Sequence, residues 1–154
     1  MSAIIIVRAQ PSDAALLKQI AVAAKRYWGY PDHLISQWAA SPIITPAAID
    51  HDLVFAAHQQ GQPIGWYRLI VDSSPAILED LWVIPSWIGQ GVGRMLFTHA
   101  VAQCRAQRIA QIELDADPHA VGFYRNMGCT VIGETISEWN RPVPRLRYTL
   151  AAVD

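Results

Sequence analysis

The amino-acid sequence predicts a single mixed α/β domain, and three observations favour this fold class. The chain has 154 residues, which is close to the usual size of one domain with one core. Apolar residues make up 52% of it and charged residues 16%, a balance that excludes disordered, collagen-like and low-complexity proteins. The hydrophobic period changes from that of helices to that of strands and back, without an internal repeat or a Gly/Ser linker. We therefore expect one domain over residues 1–154.

The first third of the chain predicts one strand and three helices. The β-branched run Ala3–Val7 is typical of a strand. A helix with apolar residues at helical spacing is expected after Pro11, and Gly29 ends it. A second helix is expected from Tyr30. A short third one follows Thr45, a capping residue that stands directly before a proline.

The rest of the chain predicts six strands and two helices. The first three strands form a meander: Leu53–His58, Pro63–Val71 and Ala76–Ile84. A glycine-rich loop then leads into a helix whose apolar residues recur at i, i+4 spacing. The remaining elements are a strand, a short helix and two final strands, at Ala110–Ala116, Asp117–Gly128, Thr130–Glu134 and Leu146–Leu150. We expect the last two strands to be joined by a loop that contains Pro142 and Pro144.

Charge, hydropathy and cysteine content exclude several classes of partner. The chain carries 12 Lys and Arg against 13 Asp and Glu, so it lacks the basic surface of a nucleic-acid-binding protein. No stretch approaches the roughly 18 apolar residues of a membrane span, and the N-terminus lacks the basic start of a signal peptide. Cys104 and Cys129 stand apart from any zinc-type Cys/His cluster. We expect a cytoplasmic protein with reduced thiols, no metal, and no nucleic-acid or membrane partner.

Three glycines at alternate positions, Gly89, Gly91 and Gly93, lie between a predicted strand and an amphipathic helix. Glycine lets the backbone approach a ligand without interference from a Cβ atom. The helix that follows offers unpaired N–H groups and the positive end of its dipole. This combination is typical of a phosphate or pyrophosphate site, to which Arg94 would add a charged contact. The spacing matches neither the dinucleotide fingerprint nor a P-loop, and a tight turn that serves only packing is the alternative.

A second junction between a strand and a helix runs from Asp117 to Gly128. Asp117 is a good N-cap, and Gly128 suits the left-handed position after a helix. We expect the apolar face of this short helix to pack on the sheet. Tyr124 in the helix is either a core residue with a bonded hydroxyl or a functional phenol.

These two segments, in this order after a strand–helix–helix–meander start, resemble the GNAT superfamily of acetyl-CoA-dependent N-acetyltransferases. The family's cofactor signature, R/Q-x-x-G-x-G/A, is matched at Gly91 and Gly93, whereas Ile88 stands in the place of Arg or Gln. The downstream pattern, roughly N-x-x-A-x-x-x-Y-x-x-x-G-F, is matched at Asp117, Ala120, Tyr124, Gly128 and Cys129. In that pattern Asp117 replaces the common Asn, and Cys129 replaces Phe.

The resemblance implies a central mixed, mostly antiparallel sheet of about six to seven strands flanked by helices, in which two central parallel strands splay apart. In this family acetyl-CoA lies in the splay. Its pantetheine arm pairs with a strand backbone, and its pyrophosphate lies on N–H groups of the glycine loop. The residues that would contact acetyl-CoA here are Trp82, Val83, Gly89, Gln90, Gly91, Val92, Gly93, Arg94, Asp117 and Tyr124.

The reaction that the resemblance implies is direct attack of a primary amine on the thioester, without an acyl-enzyme. Tyr124 matches the position of the family's acid, which protonates the leaving thiolate. A base must remove a proton from the amine, and Glu79 is the preferred candidate over Asp80, from which strand alternation separates it. Neither cysteine has an evident His partner, so covalent catalysis by a thiolate is not expected.

Acceptor sites in this family are built from the first helix pair and from the loop between the last two strands. In this chain those segments carry Trp28, Tyr30 and Trp139, which we expect to line a site for an amine of a small molecule or a peptide. Simple packing of the helices is the alternative role of these aromatic residues. A homodimer is compatible with the resemblance, because homodimers are common in the family.

Two other functions stay open from the sequence. One is a non-catalytic acyl-CoA-binding or regulatory module on the same fold, which Ile88 and Asp117 favour. The other is an unrelated α/β phosphate-binding domain, which only the glycine loop supports.

Overall fold

The computed structural model of the chain describes residues 3–137 and 139–151. Its α-helices are α1 (Ala14–Tyr27), α2 (Asp32–Ala39), α3 (Pro46–His51), α4 (Val92–Ala106) and α5 (Val121–Asn126). Its strands are β1 (Ile4–Arg8), β2 (Leu53–Gln59), β3 (Gln62–Ile70), β4 (Ala76–Val83), β5 (Gln111–Asp115), β6 (Thr130–Ile136) and β7 (Pro142–Thr149). This order of helices and strands is the one that the sequence predicts.

The strands form a mixed, mostly antiparallel sheet in the order β1-β2-β3-β4-β5-β7-β6. Antiparallel pairing joins β1 to β2, β5 to β7 and β6 to β7. The central pair, β4 and β5, is parallel, with Ala76 opposite Ile112 and Ile77 opposite Glu113. The predicted sheet of six to seven strands is confirmed, whereas the splay of its parallel strands stays a prediction.

The described residues group into two compact units. The first comprises residues 3–68 and 80–97, and the second comprises residues 69–79, 98–137 and 139–151. The prediction of one domain over residues 1–154 stays a prediction. Within the described ranges, no helix combines the length and the apolar character that crossing a membrane requires.

The core of the first unit forms where α1 and α3 pack on β2 and β3. Leu17 and Ile20 of α1 are buried with Ile49 of α3, Val54 of β2 and Trp66 of β3. Because the Trp66 indole is fully buried, its N–H needs a partner, and Nε1 donates to the carbonyl oxygen of Leu17 at 2.8 Å. This bond ties β3 to α1, and both elements contribute to the site described below.

In the second unit, β7 includes both prolines that the sequence assigned to a loop. That prediction was wrong, since the strand runs Pro142–Thr149 and pairs with β6 from its first residue. Residues at even positions of β7 direct their backbone groups toward β5, and Ala116 N donates to the Pro144 carbonyl oxygen at 2.9 Å just beyond the end of β5. The missing N–H groups of Pro142 and Pro144 therefore remove no bond from the β6–β7 ladder.

Candidate active site

The glycine loop lies between β4 and α4 in the first unit. A 3-10 turn, Pro85–Trp87, follows the strand, and Gln90 Nε2 donates to the Ser86 carbonyl oxygen at 3.2 Å. Gly89 and Gly91 have φ angles of +82° and +85°, in the left-handed region that favours glycine. Among the described residues, beyond the chain neighbours of each glycine, an added Cβ would meet no atom within 4 Å at either position. The backbone conformation, and not a lack of space, therefore requires glycine.

The start of α4 presents N–H groups toward the open end of the helix. Met95 N donates to the Gly91 carbonyl oxygen at 3.0 Å, which places Gly91 at the N-cap position. The N–H groups of Val92, Gly93 and Arg94 precede this first helical bond, and the positive end of the helix dipole lies there. Gly91 has no side chain that could accept these N–H groups. The local geometry therefore suits an external anion.

Gly65 of β3 allows an unusually close approach of three elements of the first unit. A Cβ atom at this position would lie 2.8 Å from the Trp82 carbonyl oxygen of β4. It would also lie 3.1 Å from Leu96 Cδ1 and 3.3 Å from Val92 Cγ1, both on α4. Gly65 was not predicted as a site residue from the sequence, although a glycine inside a strand is itself a signal of close backbone approach.

An aromatic cluster surrounds the ammonium group of Lys25 in the first unit. Lys25 Nζ lies 4.9 Å from the ring centroid of Trp38, 5.6 Å from that of Tyr30 and 5.8 Å from that of Trp82. The Trp38 and Trp82 rings lie 5.4 Å apart with an interplanar angle of 52°. All four side chains are half-buried. We call these four residues the Lys25 cluster, and its distances are those of cation–π contacts.

The two candidate bases differ in their surroundings. Asp80 is half-buried, and its Oδ1 accepts a hydrogen bond of 3.0 Å from Trp82 Nε1, so it borders the Lys25 cluster. Glu79 is exposed, and alternation along β4 directs it to the opposite face of the strand. The role of Glu79 as a base stays a prediction.

The three predicted acceptor residues have different surroundings. Tyr30 belongs to the Lys25 cluster. Trp28 is half-buried and makes an edge contact with Tyr27, with ring centroids 5.3 Å apart. Trp139 lies in the second unit, where Arg141 Cζ is 5.7 Å from its ring centroid. Lys25 was not predicted as a site residue from the sequence, although it lies on α1 only three residues before Trp28.

Asp117 caps the turn that precedes α5 in the second unit, as predicted. Its Oδ1 accepts the backbone N–H of His119 at 2.9 Å and lies 2.8 Å from His119 Nδ1. The carboxylate therefore already serves two groups of its own turn. Its predicted contact with acetyl-CoA stays a prediction.

Tyr124 lies on α5 with only 8% of its surface exposed. Its ring makes an edge contact with Phe123 at 5.1 Å between centroids, and its carbonyl oxygen accepts from Cys129 N at 3.0 Å. Gly128 follows the helix with a φ of +105°, so the predicted left-handed glycine is confirmed. The catalytic role of Tyr124 stays a prediction.

The two cysteines are buried thiols. Burial raises the pKa of Cys104 to about 11 and that of Cys129 to about 11. A thiol with such a pKa is protonated at neutral pH, whereas a nucleophilic cysteine must be a thiolate. This agrees with the expectation that neither cysteine acts as a covalent catalyst.

Known proteins share both the sequence pattern and the fold. A family model described as an acetyltransferase (GNAT) domain matches residues 36–143. The chain is 35% identical over 98 residues to the uncharacterized N-acetyltransferase ycf52 of Gracilaria tenuistipitata var. liui, a match that covers 59% of this chain and 54% of that protein. It is 32% identical over 92 residues to the peptidyl-lysine N-acetyltransferase YjaB of Salmonella typhimurium, with 59% of each chain covered. The chain therefore matches little more than half of the length of these relatives.

A solved structure extends the likeness of fold to almost the whole chain. The PaiA N-acetyltransferase of Thermoplasma acidophilum, in complex with coenzyme A, has a TM-score of 0.84 against this chain at 17% identity. The alignment covers 96% of this chain and 99% of that one, and at this identity it concerns the fold alone. Since the family model matches well over half of the sequence and the fold agrees, the chain belongs to the GNAT acetyltransferase family.

Proposed function

We propose that this chain is an N-acetyltransferase, which moves an acetyl group from acetyl-CoA to a primary amine of a small molecule or a peptide by direct attack. The observation that carries the proposal is the glycine loop. Two left-handed glycines lead into a helix whose N-cap residue has no side chain, at the position of the family's cofactor signature. Membership of the family supplies the kind of anion expected there, the pyrophosphate of coenzyme A.

The residues of the first unit fit such a cofactor. The N–H groups from Gly89 to Arg94 would receive the pyrophosphate, while Arg94, which is exposed, would add a positive charge. The backbone of Trp82 and Val83 at the end of β4 would pair with the pantetheine arm as an added strand. Acetyl-CoA, when bound, supplies a thioester carbonyl whose carbon is open to an amine.

Proton transfer is assigned to two side chains on the ground of family position. Tyr124 would protonate the leaving sulfur, because a phenol can donate a proton that a thiolate needs. Glu79 stays the proposed base, with Asp80 as the alternative that borders the aromatic rings. The pair Glu79→Gln and Asp80→Asn separates the two, since each change keeps the shape of the side chain and removes only the charge. The base is the residue whose change lowers kcat and removes the acid limb of the pH profile.

The acceptor is proposed as a primary amine that carries or adjoins an apolar group. Half-buried aromatic rings at Tyr30, Trp38 and Trp82 support this class. One relative is named as a peptidyl-lysine N-acetyltransferase, which makes a lysine side chain one acceptor to test.

The test of the proposal is release of free coenzyme A from acetyl-CoA over a panel of amines. We expect amine-dependent release by the wild-type chain and a reduced kcat for Tyr124→Phe, with the difference depending on pH. If the chain binds acetyl-CoA without turnover of any amine, the non-catalytic acyl-CoA-binding module is the correct function. If the chain binds neither acetyl-CoA nor coenzyme A, both the acetyltransferase and the acyl-CoA-binding module are overturned.

We further propose a cytoplasmic location and a homodimer. Support for the dimer comes from β6, the last strand in the sheet order, where Val131, Ile132 and Ile136 are 45%, 41% and 63% exposed. Light scattering after gel filtration tests it. Ile136→Lys is expected to shift a dimer toward the monomer, and a wild-type monomer at all concentrations would overturn the proposal.

A further inference from the structure

We propose that Lys25 is an intramolecular acetyl acceptor, so that the chain acetylates itself at this residue. The inference rests on the proposed function. It concerns one side chain of the Lys25 cluster and one chemical step, transfer of an acetyl group from acetyl-CoA to Nζ.

The amine of Lys25 lies close to Trp82 of β4. Lys25 Nζ is 5.8 Å from the ring centroid of Trp82, and it is also within cation–π distance of Trp38 and Tyr30. Trp82 would thus contact both the amine and the acetyl donor. Its side chain contacts the Lys25 ammonium, and its backbone is the one proposed to pair with the pantetheine arm. The amine of Lys25 is therefore held beside the strand along which the donor would lie.

The Lys25 cluster accommodates a lysine side chain among its three rings. Three rings hold an ammonium group on a four-carbon chain, which is the chemical form of the primary amines that the reaction consumes. Asp80, which accepts from Trp82 Nε1 at 3.0 Å, borders the same rings. The cluster therefore already accommodates an alkylamine of the acceptor class, supplied by the chain itself.

Lysine is rare in this sequence. Of 12 basic residues all are arginine except Lys18 and Lys25. Arginine can make the same cation–π contacts but is effectively always protonated and does not act as an amine nucleophile. One of the two acetylatable side chains of the protein is thus the one in the aromatic cluster.

The proposed step transfers one acetyl group from the sulfur of acetyl-CoA to the Nζ of Lys25. The Lys25 ammonium loses one proton to water, its Nζ lone pair forms a bond to the thioester carbonyl carbon, and the carbon–sulfur bond breaks. The sulfur leaves with the electron pair of the carbon–sulfur bond. The nitrogen gives up a second proton and the sulfur takes up one, which yields free coenzyme A and a neutral acetamide on Lys25. Because the acetamide carries no charge, the cation–π contacts with the three rings are lost.

The experiment is mass spectrometry of the intact and digested protein after incubation with acetyl-CoA in the absence of any added amine. We expect a gain of one acetyl group per chain, located on Lys25. The rate per chain should not depend on protein concentration, as required for an intramolecular step. Lys25→Arg keeps the positive charge and should abolish the gain. Lys18→Arg, the matched control, should leave it unchanged.

The outcomes separate this inference from the function on which it rests. An unmodified Lys25 in a chain that acetylates added amines overturns the inference and leaves the proposed function standing. Equal labelling of Lys18 and Lys25, also after heat denaturation, indicates uncatalysed acetylation and overturns it as well. If neither added amines nor Lys25 are acetylated, the proposed function fails and the inference fails with it.

Discussion

Two turns of this chain lead from a strand into a helix, and they differ in whether a side chain caps the turn itself. Before α4, Gly91 occupies the N-cap position and has no side chain, while Gly89 and Gly91 take left-handed conformations. Before α5, Asp117 Oδ1 accepts the N–H of His119 at 2.9 Å. An external anion would meet N–H groups at the first turn and a carboxylate at the second. We therefore expect an anion to bind at the turn before α4, which lacks a side-chain cap, and not at the turn before α5.

The largest expected effect follows from removing the left-handed glycine of the first turn. A β-branched residue at a φ of +85° is strained by about 1–2 kcal/mol, so Gly91→Val should displace the start of α4. We expect the Kd for acetyl-CoA to rise by about tenfold or more, measured by calorimetric titration. Gly133→Val is the matched control, since a Cβ there meets no atom of the described part of the chain within 4 Å and its φ is not in the left-handed region. An unchanged Kd for Gly91→Val would contradict the proposal that the turn before α4 binds acetyl-CoA.

A second effect concerns the support behind the first turn. The added methyl of Gly65→Ala would lie 2.8 Å from the Trp82 carbonyl oxygen, so β4 and α4 must move away from β3. We expect a loss of about 1–3 kcal/mol in the free energy of unfolding, from denaturant titration. The KM for acetyl-CoA should rise by less than in Gly91→Val, with a smaller change in the KM for the amine. Equal changes in both KM values would show a general loss of structure instead.

The turn before α5 gives a smaller effect of opposite sign. Asp117→Asn keeps a good capping residue and removes one negative charge, so the Kd for acetyl-CoA should fall by about twofold to fivefold at low salt. The difference should shrink in high salt, because salt screens charge interactions. Asp117→Ala should instead lower the free energy of unfolding by about 1 kcal/mol, since the cap is lost. Weaker binding by Asp117→Asn would contradict this view of the second turn.

The smallest effect is expected for the cysteines, which belong to neither turn. With pKa values near 11, about one thiol in a thousand is ionised at pH 8, so a thiol reagent should label the native chain far more slowly than the unfolded one. Ionisation above the ordinary value of 9.0 favours the unfolded state. The stability that thiol burial contributes is therefore complete below pH 9 and lost as the pH rises toward 11. Fast labelling of the native protein at pH 8 would contradict the burial.

Several parts of this structure could be predicted because they depend on local chemistry. The cap at Asp117 and the left-handed Gly128 follow from which residues tolerate those backbone conformations, and both are confirmed. The order of strands and helices follows from the hydrophobic period. The start of β7 was not predictable in this way. Pro142 and Pro144 are tolerated in the strand because their backbone faces the side of β5, which has ended at that point.

The residues that the sequence analysis missed depend on contacts between distant segments. Lys25 gains its place from rings on α2 and β4, and no pattern within α1 indicates them. Gly65 matters because Trp82 and α4 approach it, which only the folded chain reveals. Trp28 was expected to line an acceptor site from its position alone, and the structure gives it an edge contact with the neighbouring ring of Tyr27. Which aromatic residues lie around the Lys25 ammonium group thus depends on tertiary contacts.

The most direct test of the account is a calorimetric titration of acetyl-CoA into the wild-type chain and into Gly91→Val, side by side. The account predicts one binding site per chain in the wild type and an affinity lower by about tenfold or more in the variant, with Gly133→Val like the wild type. No binding to the wild type, or equal affinity in all three proteins, would contradict the claim that the uncapped glycine turn before α4 holds the cofactor.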